Sequence, residues 1–160
     1  MGVWVGQADV LLRPGDYEYR IRYRTDRQLG FFAQHDELYW IVTGNGWEFP
    51  IRGASAAVHL PEGVPADAIV VEAYTGPAGA QGRDWSAWVD GNGIPRFETT
   101  RPLGPHEGLT VGASFPKGHV PEPTDLDRAQ RIAAANPQAP IAVGGSLLTL
   151  GYFLVVWWRF

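Results

Sequence analysis

The chain of 160 residues contains no cysteine. Disulfides and thiolate metal sites are therefore excluded. The absence does not fix a compartment, because it suits the cytosol and equally an exported domain that does without disulfides. Basic charge is also short: 13 lysines and arginines stand against 17 acidic residues, for a formal net charge of −4. A nucleic-acid surface needs a clustered basic patch. The longest basic cluster, Arg20, Arg22 and Arg24, alternates with Tyr19, Ile21 and Tyr23, the pattern of a solvated strand face. The first residues, Met1 to Gly6, have neither a basic n-region nor an apolar h-region and are not expected to be a signal peptide. Position 6 is Gly6, so the myristoylation pattern fails as well. His35, His59, His106 and His119 show no metal-ligand spacing. Ser55, Ser86, Ser114 and Ser146 lack a Gly-x-Ser-x-Gly elbow. No nucleophile, base and oxyanion group can be named together, so the chain reads as a non-enzyme without a cofactor.

What is present points to β structure. Apolar residues make up 45%, and the 20 glycines and 13 prolines are dispersed and not periodic, which predicts many short strands with turns between them. The length suffices for one domain with a real core. The organising stretch runs over 35–51. Leu38, Tyr39, Trp40, Ile41 and Val42 suit a pleated surface, and Gly44-Asn45-Gly46 predicts a tight turn. Trp47, Phe49 and Ile51 alternate with Glu48 and Pro50 and predict the returning strand.

Other strands follow along the chain. A weak one is expected around Val3 to Val5. Tyr17, Tyr19, Ile21 and Tyr23 alternate with Glu18, Arg20, Arg22 and Arg24, a period of two that predicts a strand. Further strands are expected over 54–60, 68–74, 84–89, 94–100 and 109–115. Asp90-Gly91-Asn92-Gly93 offers two type I′ hairpin pairs, and Pro95 suggests an edge position for the strand after it. The Gly-rich stretch 75–82 lacks the Gly-Lys-Ser/Thr ending of a phosphate loop and reads as a connector. After Pro121-Glu122-Pro123, Thr124 can cap a short helix with Asp127 three residues on, and Asn136-Pro137 stops it. From Ile141 to Trp158 the chain is uncharged. As a helix rising about 1.5 Å per residue it would span roughly 27 Å, against about 30 Å for a bilayer core. Trp157 and Trp158 fit an interfacial belt, and Arg159 fits the positive-inside rule. The alternative is a buried core segment.

Among possible sites, Asp36-Glu37 are adjacent on a strand and point to opposite faces, so they do not form an acid/base couple. Asp84, Asp90 and Glu98 would meet only through tertiary folding. Trp40, Trp47, Trp85 and Trp88 are the candidate binding residues, because exposed aromatics on a sandwich can stack on sugars or peptides. The competing reading makes them core or inter-sheet packing.

The run Gly15-Asp16-Tyr17-Glu18-Tyr19-Arg20-Ile21-Arg22-Tyr23, with Leu29-Gly30-Phe31-Phe32, Asp36-Glu37-Leu38-Tyr39-Trp40, Thr43-Gly44-Asn45-Gly46-Trp47 and Phe49-Pro50-Ile51, resembles the family called domain of unknown function 2207. Leu60-Pro61, Tyr74-Thr75-Gly76, Gly108-Leu109-Thr110-Val111 and Phe115-Pro116-Lys117-Gly118 match the same pattern. Members of that family are predicted bacterial membrane proteins. The resemblance implies an extracytoplasmic β-sandwich followed by a membrane helix. It also implies that this chain is a partial member, without the family's first strands and signal peptide and without its later membrane segments. The family usually has Asn after the Tyr-Trp pair, where this sequence has Ile41, so a hydrogen bond made by that Asn would be absent. No established activity comes with the family, and no catalytic residue is carried over.

The expected fold is an all-β, antiparallel Ig-like sandwich over 1–120, a juxtamembrane helix or linker over 121–140 and a transmembrane helix over 141–160. The expected location is the cell membrane, with the β-domain outside the cytoplasm and the C-terminus inside. The expected role is structural or interactive at the bacterial surface, with a protein or glycan partner and no nucleic acid. The alternative is a module that binds envelope glycans or peptides through its aromatics. An unpaired sheet edge near Tyr17 to Tyr23 or Val3 to Val10, with self-association, is expected of a partial member.

Overall fold

The structure, a computed structural model, describes residues 13–136 and 138–159, with the backbone alone at 139–141 and 143. The expected strand at Val3 to Val5 and the helix-stopping Pro137 lie outside the described residues.

Two antiparallel sheets carry the β-domain. The first has four strands in the order β1 (Leu29–Phe31), β2 (His35–Ile41), β7 (Gly108–Pro116) and β4 (Val70–Gly76). The second has three, in the order β3 (Ser55–Ala57), β6 (Pro95–Thr99) and β5 (Trp85–Val89). The period of two sorts the side chains. On β7, Leu109, Val111, Ala113 and Phe115 turn inward and are buried, while Thr110 and Ser114 turn outward. Leu38 and Trp40 of β2 and Ala73 of β4 share the inner face with them. Phe97 of β6, in register with Ala56 and Ala87, closes the core from the other sheet with Val58 and Leu103. The result is a mostly β, sandwich-like arrangement.

Two predicted strands are corrected. The 17–23 stretch forms no β pair among the described residues, and Tyr17, Tyr19, Ile21 and Tyr23 are exposed. Alternation says which residues share a face, but a strand also needs a neighbour for its N–H and C=O groups. Tyr23 stacks on Trp40 at 6.3 Å between ring centroids. The hairpin predicted over 35–51 does not form either. Both edges of β2 are taken, by β1 and by β7, so the chain after Ile41 has no edge to return to. It leaves the sheet as a loop, with Thr43 Oγ1 accepting from Leu109 N–H at 3.0 Å and Trp47 Nε1 donating to the Thr43 carbonyl at 2.7 Å. Ile51 then makes an isolated bridge to Leu103.

The β5–β6 hairpin forms as expected, with a different turn. Gly93 has φ +74°, whereas Gly91 and Asn92 are not in the positive region, and type I′ needs positive φ at both central residues. The Asp90 side chain replaces that turn by accepting from the N–H groups of Asn92 and Ile94. Pro95 does not mark an edge, since β6 lies between β3 and β5. Proline is tolerated there as the first residue of its strand, with its carbonyl accepting from Val58 N–H. The strand expected over 54–60 shortens to β3.

Beyond the sheets, α1 (Asp125–Ala135) starts at a capping box. Thr124 Oγ1 accepts from Asp127 N–H, and the Asp127 carboxylate accepts from Thr124 N–H. None of its residues is buried, so it adds nothing to the core. Residues Ala139–Arg159 form α2, a helix of 21 residues. Among the described residues, no helix is long and apolar enough to cross a membrane. The side chains of Ile141 and Val143, which the sequence reading counts toward a span, are not among those described.

Candidate functional site

The outer face of the four-stranded sheet carries a concavity at one end. Register sets its rows. Tyr39 lies opposite Gly112, which lies opposite Glu72; Ile41 lies opposite Thr110, which lies opposite Tyr74. Tyr39 and Tyr74 therefore stand on the two strands flanking β7, strands that lie about 10 Å apart at a spacing of about 4.8 Å, and are offset by one row. Gly112, in the row between Tyr39 and Glu72, adds no side chain to this face. A Cβ there would come within 2.8 Å of Glu72 Cγ, so glycine is what lets the Glu72 side chain lie flat across β7.

The 76–81 loop stands over one end of this face. Thr75 and Gly82 exchange two backbone hydrogen bonds, at 3.0 and 2.9 Å, and Ala80 N–H bonds to the Pro77 carbonyl. These close the loop at its base. Asn45 Nδ2 donates to the Gly76 carbonyl at 2.9 Å and ties the 43–46 loop to it. Together they enclose a groove of about 420 Å³, lined by Tyr39, Ile41, Asn45, Tyr74, Gln81 and Thr110 among others. Tyr74 Oη donates to Glu72 Oε2 at 3.1 Å. That bond, followed by the repulsion of a phenolate by the same carboxylate, raises the Tyr74 pKa above its ordinary value. The phenol thus stays neutral and remains a donor. The stretch 75–82, read from the sequence as a connector, does connect β4 to β5 and also forms one wall of the groove.

The four tryptophans do not form one platform. Trp40 and Trp85 point inward and pack against the core, and the Trp85 indole N–H is buried with no hydrogen-bond partner among the described residues. Trp88, in register with Arg96, turns outward and is 42% exposed. Trp47 sits on the loop after β2, 54% exposed, beside Phe49 and Pro50. Strand parity separates Trp85 from Trp88, three residues apart.

The acidic candidates do not converge. Asp36 is buried at 1% exposure and pairs with Lys117 Nζ at 3.0 Å, while Glu37 lies on the opposite face near His35. Asp84 pairs with Arg101 and Asp90 with Arg96. Arg101 also clasps Glu107 at 2.7 Å, which holds the Glu107 carboxyl below its ordinary pKa together with a bond from Gly104 N–H. Among the described residues, no group of His, Asp and Glu could hold a metal ion.

Sequence reasoning missed Tyr39 and Tyr74 as a pair and Lys117 as the partner of Asp36. Tyr39 and Tyr74 are 35 positions apart along the chain and meet only because β7 inserts between their strands. The signal available was parity: each tyrosine alternates with core-facing neighbours and so belongs to an outer face.

The family described as predicted membrane protein (DUF2207) N-terminal domain matches residues 4–115. No curated protein and no solved structure matches the chain.

Proposed function

We propose, from the premise that the chain belongs to the DUF2207 family of predicted membrane proteins, that it is the ectodomain of a membrane-anchored protein, non-enzymatic, with a structural or interaction role at the bacterial cell surface. Among the described residues, seven strands split four and three support an Ig-like architecture. Its strand order differs from an Ig constant domain, since β5 and β7 exchange places relative to that pattern. The anchor is the run from Ile141 to Trp158 within α2.

The observation that carries this reading is the surface of α2. Leu147, Leu148, Leu150, Phe153, Leu154, Val155, Trp157 and Trp158 are all more than half exposed. Exposed apolar side chains on this scale call for a covering phase or partner. The run has no charge before Arg159, and Arg159 fits the positive-inside rule with that end of the helix on the cytoplasmic side. The β-domain then lies outside.

The test is a reporter fused after Phe160, with membrane flotation and protease applied from outside. Co-flotation, a protected reporter and a digested β-domain are expected. A chain that stays in the soluble fraction, with 141–158 protected inside a globule, would sink the proposal.

The groove between Tyr39 and Tyr74 favours a second reading, a module that binds an envelope glycan or peptide through surface aromatics. Trp47 and Trp88 are the exposed members of the four candidate tryptophans. Saturable binding that is lost on aromatic substitution tests it.

A further inference from the structure

The floor of the groove is the face of a sheet, not its edge. Backbone groups of β7 are already used in ladders to β2 and β4. A peptide adding as a strand needs a free edge for its main-chain bonds, and β7 in the middle of this floor offers none. It offers side chains instead: two phenols, the amides of Asn45 and Gln81 and the hydroxyl of Thr110. None of these carries a charge at neutral pH. Glu72 stands beside them, its carboxylate laid across Gly112 and held by Tyr74 Oη. Glu37 is on the same face, one row away. Two carboxylates here oppose an anionic ligand, which excludes phosphate-rich polymers.

A flat aromatic ring next to neutral amides, a hydroxyl and a carboxylate has a particular complement. The C–H face of a pyranose stacks on such a ring, and its ring hydroxyls pair with the surrounding polar groups. The cavity of about 420 Å³ lies within the range of about 300–1,000 Å³ usual for small-ligand pockets. The geometry points to a neutral oligosaccharide as the ligand of this groove. Tyr39 is the stacking platform, Tyr74 and Ile41 are the flanking walls, and Asn45, Gln81 and Thr110 are the hydroxyl partners, with Glu72 orienting the Tyr74 hydroxyl from beside the groove. This rests on the ligand-binding reading above and assigns that reading a site distinct from the tryptophans.

The experiment is calorimetric titration of the full chain in detergent micelles. The probes are triacetylchitotriose, cellotriose and mannotriose, with trilysine as the cationic peptide comparison. Saturable binding of at least one trisaccharide is expected. Tyr39→Ala, an exposed position whose loss leaves the circular dichroism unchanged, weakens that binding about tenfold or more, which is about 1.4 kcal/mol. Glu72→Gln weakens it in the same direction, and Trp47→Ala and Trp88→Ala leave it unaltered. If the tryptophan substitutions abolish trisaccharide binding and Tyr39→Ala does not, the module reading stands and the groove assignment falls. If trilysine binds and no trisaccharide does, the ligand class is wrong. If no probe saturates, the inference and the reading beneath it both fail.

Discussion

The Asp36 carboxylate is the most deeply buried charged group described, and its partner Lys117 also donates to the Phe32 carbonyl at 2.7 Å. One ammonium thus fastens the start of β2, the 31–32 turn and the end of β7. Burying a carboxylate is tolerable only when it is paired, so removing the lysine costs more than the contact itself. Lys117→Met is expected to lower the melting temperature clearly, and Lys117→Arg to lower it less. The hydrogen bond to Asp36 raises the Lys117 pKa. Its contribution to stability is therefore complete below the unfolded lysine value of about 10.4 and is lost as pH rises through the higher folded value. Thermal melts between neutral and alkaline pH should show that loss in the native chain and less of it in Lys117→Met. Tyr74 offers a second readout at this scale. Its phenol should ionise above the ordinary value near 10.0, and Glu72→Gln should bring it down. Ultraviolet titration of tyrosinate absorbance checks this, and an unshifted titration in Glu72→Gln would remove Glu72 as the cause.

Among the elements, those stabilised by near neighbours in sequence could be read in advance. The cap of α1 is one: Thr124 and Asp127 lie three residues apart, and their reciprocal bonds need nothing else. Thr124→Ala should cost the helix about 1 kcal/mol, seen as lost ellipticity in the far ultraviolet while the near-ultraviolet signal of the sheets stays intact. The β5–β6 hairpin was legible for the same reason, although its turn is set by the Asp90 side chain and Gly93 alone and not by a type I′ pair. Strands whose partners are distant could not be read this way. The 17–24 alternation is a cleaner strand pattern than β3, yet β3 is paired with β6 and 17–24 is not paired among the described residues. Likewise, Trp47, Phe49 and Ile51 alternate correctly, but β2 had already given both of its edges away. Pattern reports the face a residue prefers, and pairing depends on which edges the rest of the fold leaves open. The groove was illegible for this reason too, because Tyr39 and Tyr74 meet through β7.

For the whole molecule, many short strands were legible from composition and spacing and a sandwich from the family resemblance, but the position of β7 was legible from neither. The last strand enters between β2 and β4 and supplies Leu109, Val111, Ala113 and Phe115 to the core. Along the chain, the strand that completes the four-stranded sheet therefore comes after all three strands of the smaller sheet. Phe97, 1% exposed on the middle strand of the smaller sheet, belongs to the same core cluster as Leu109 and Val111. Phe97→Ala should therefore cost about 3–5 kcal/mol and destabilise both sheets together. Hydrogen exchange would show this as equal losses of protection in β2, β7 and β6, and protection lost in β6 alone would mean that the sheets fold as separate units. Acid should act on several parts of the molecule at once. Hydrogen bonds from Arg96 hold the Asp90 carboxyl below its ordinary pKa, bonds from Arg101 do so for Glu107, and bonds from Thr124 do so for Asp127. A carboxyl depressed on folding contributes stability that is present above its unfolded pKa and is lost as pH falls through the folded value. All three losses fall below about pH 4. Asp90 and Glu107 hold the hairpin and the loop before β7, whereas Asp127 holds only α1. Titration into acid should accordingly melt the sheets in one transition followed by tryptophan fluorescence. Asp127→Ala should leave that transition in place, and Arg101→Met should move it to higher pH. If Arg101→Met leaves the midpoint where it was, the Arg101 clasp does not set the acid limit of the fold.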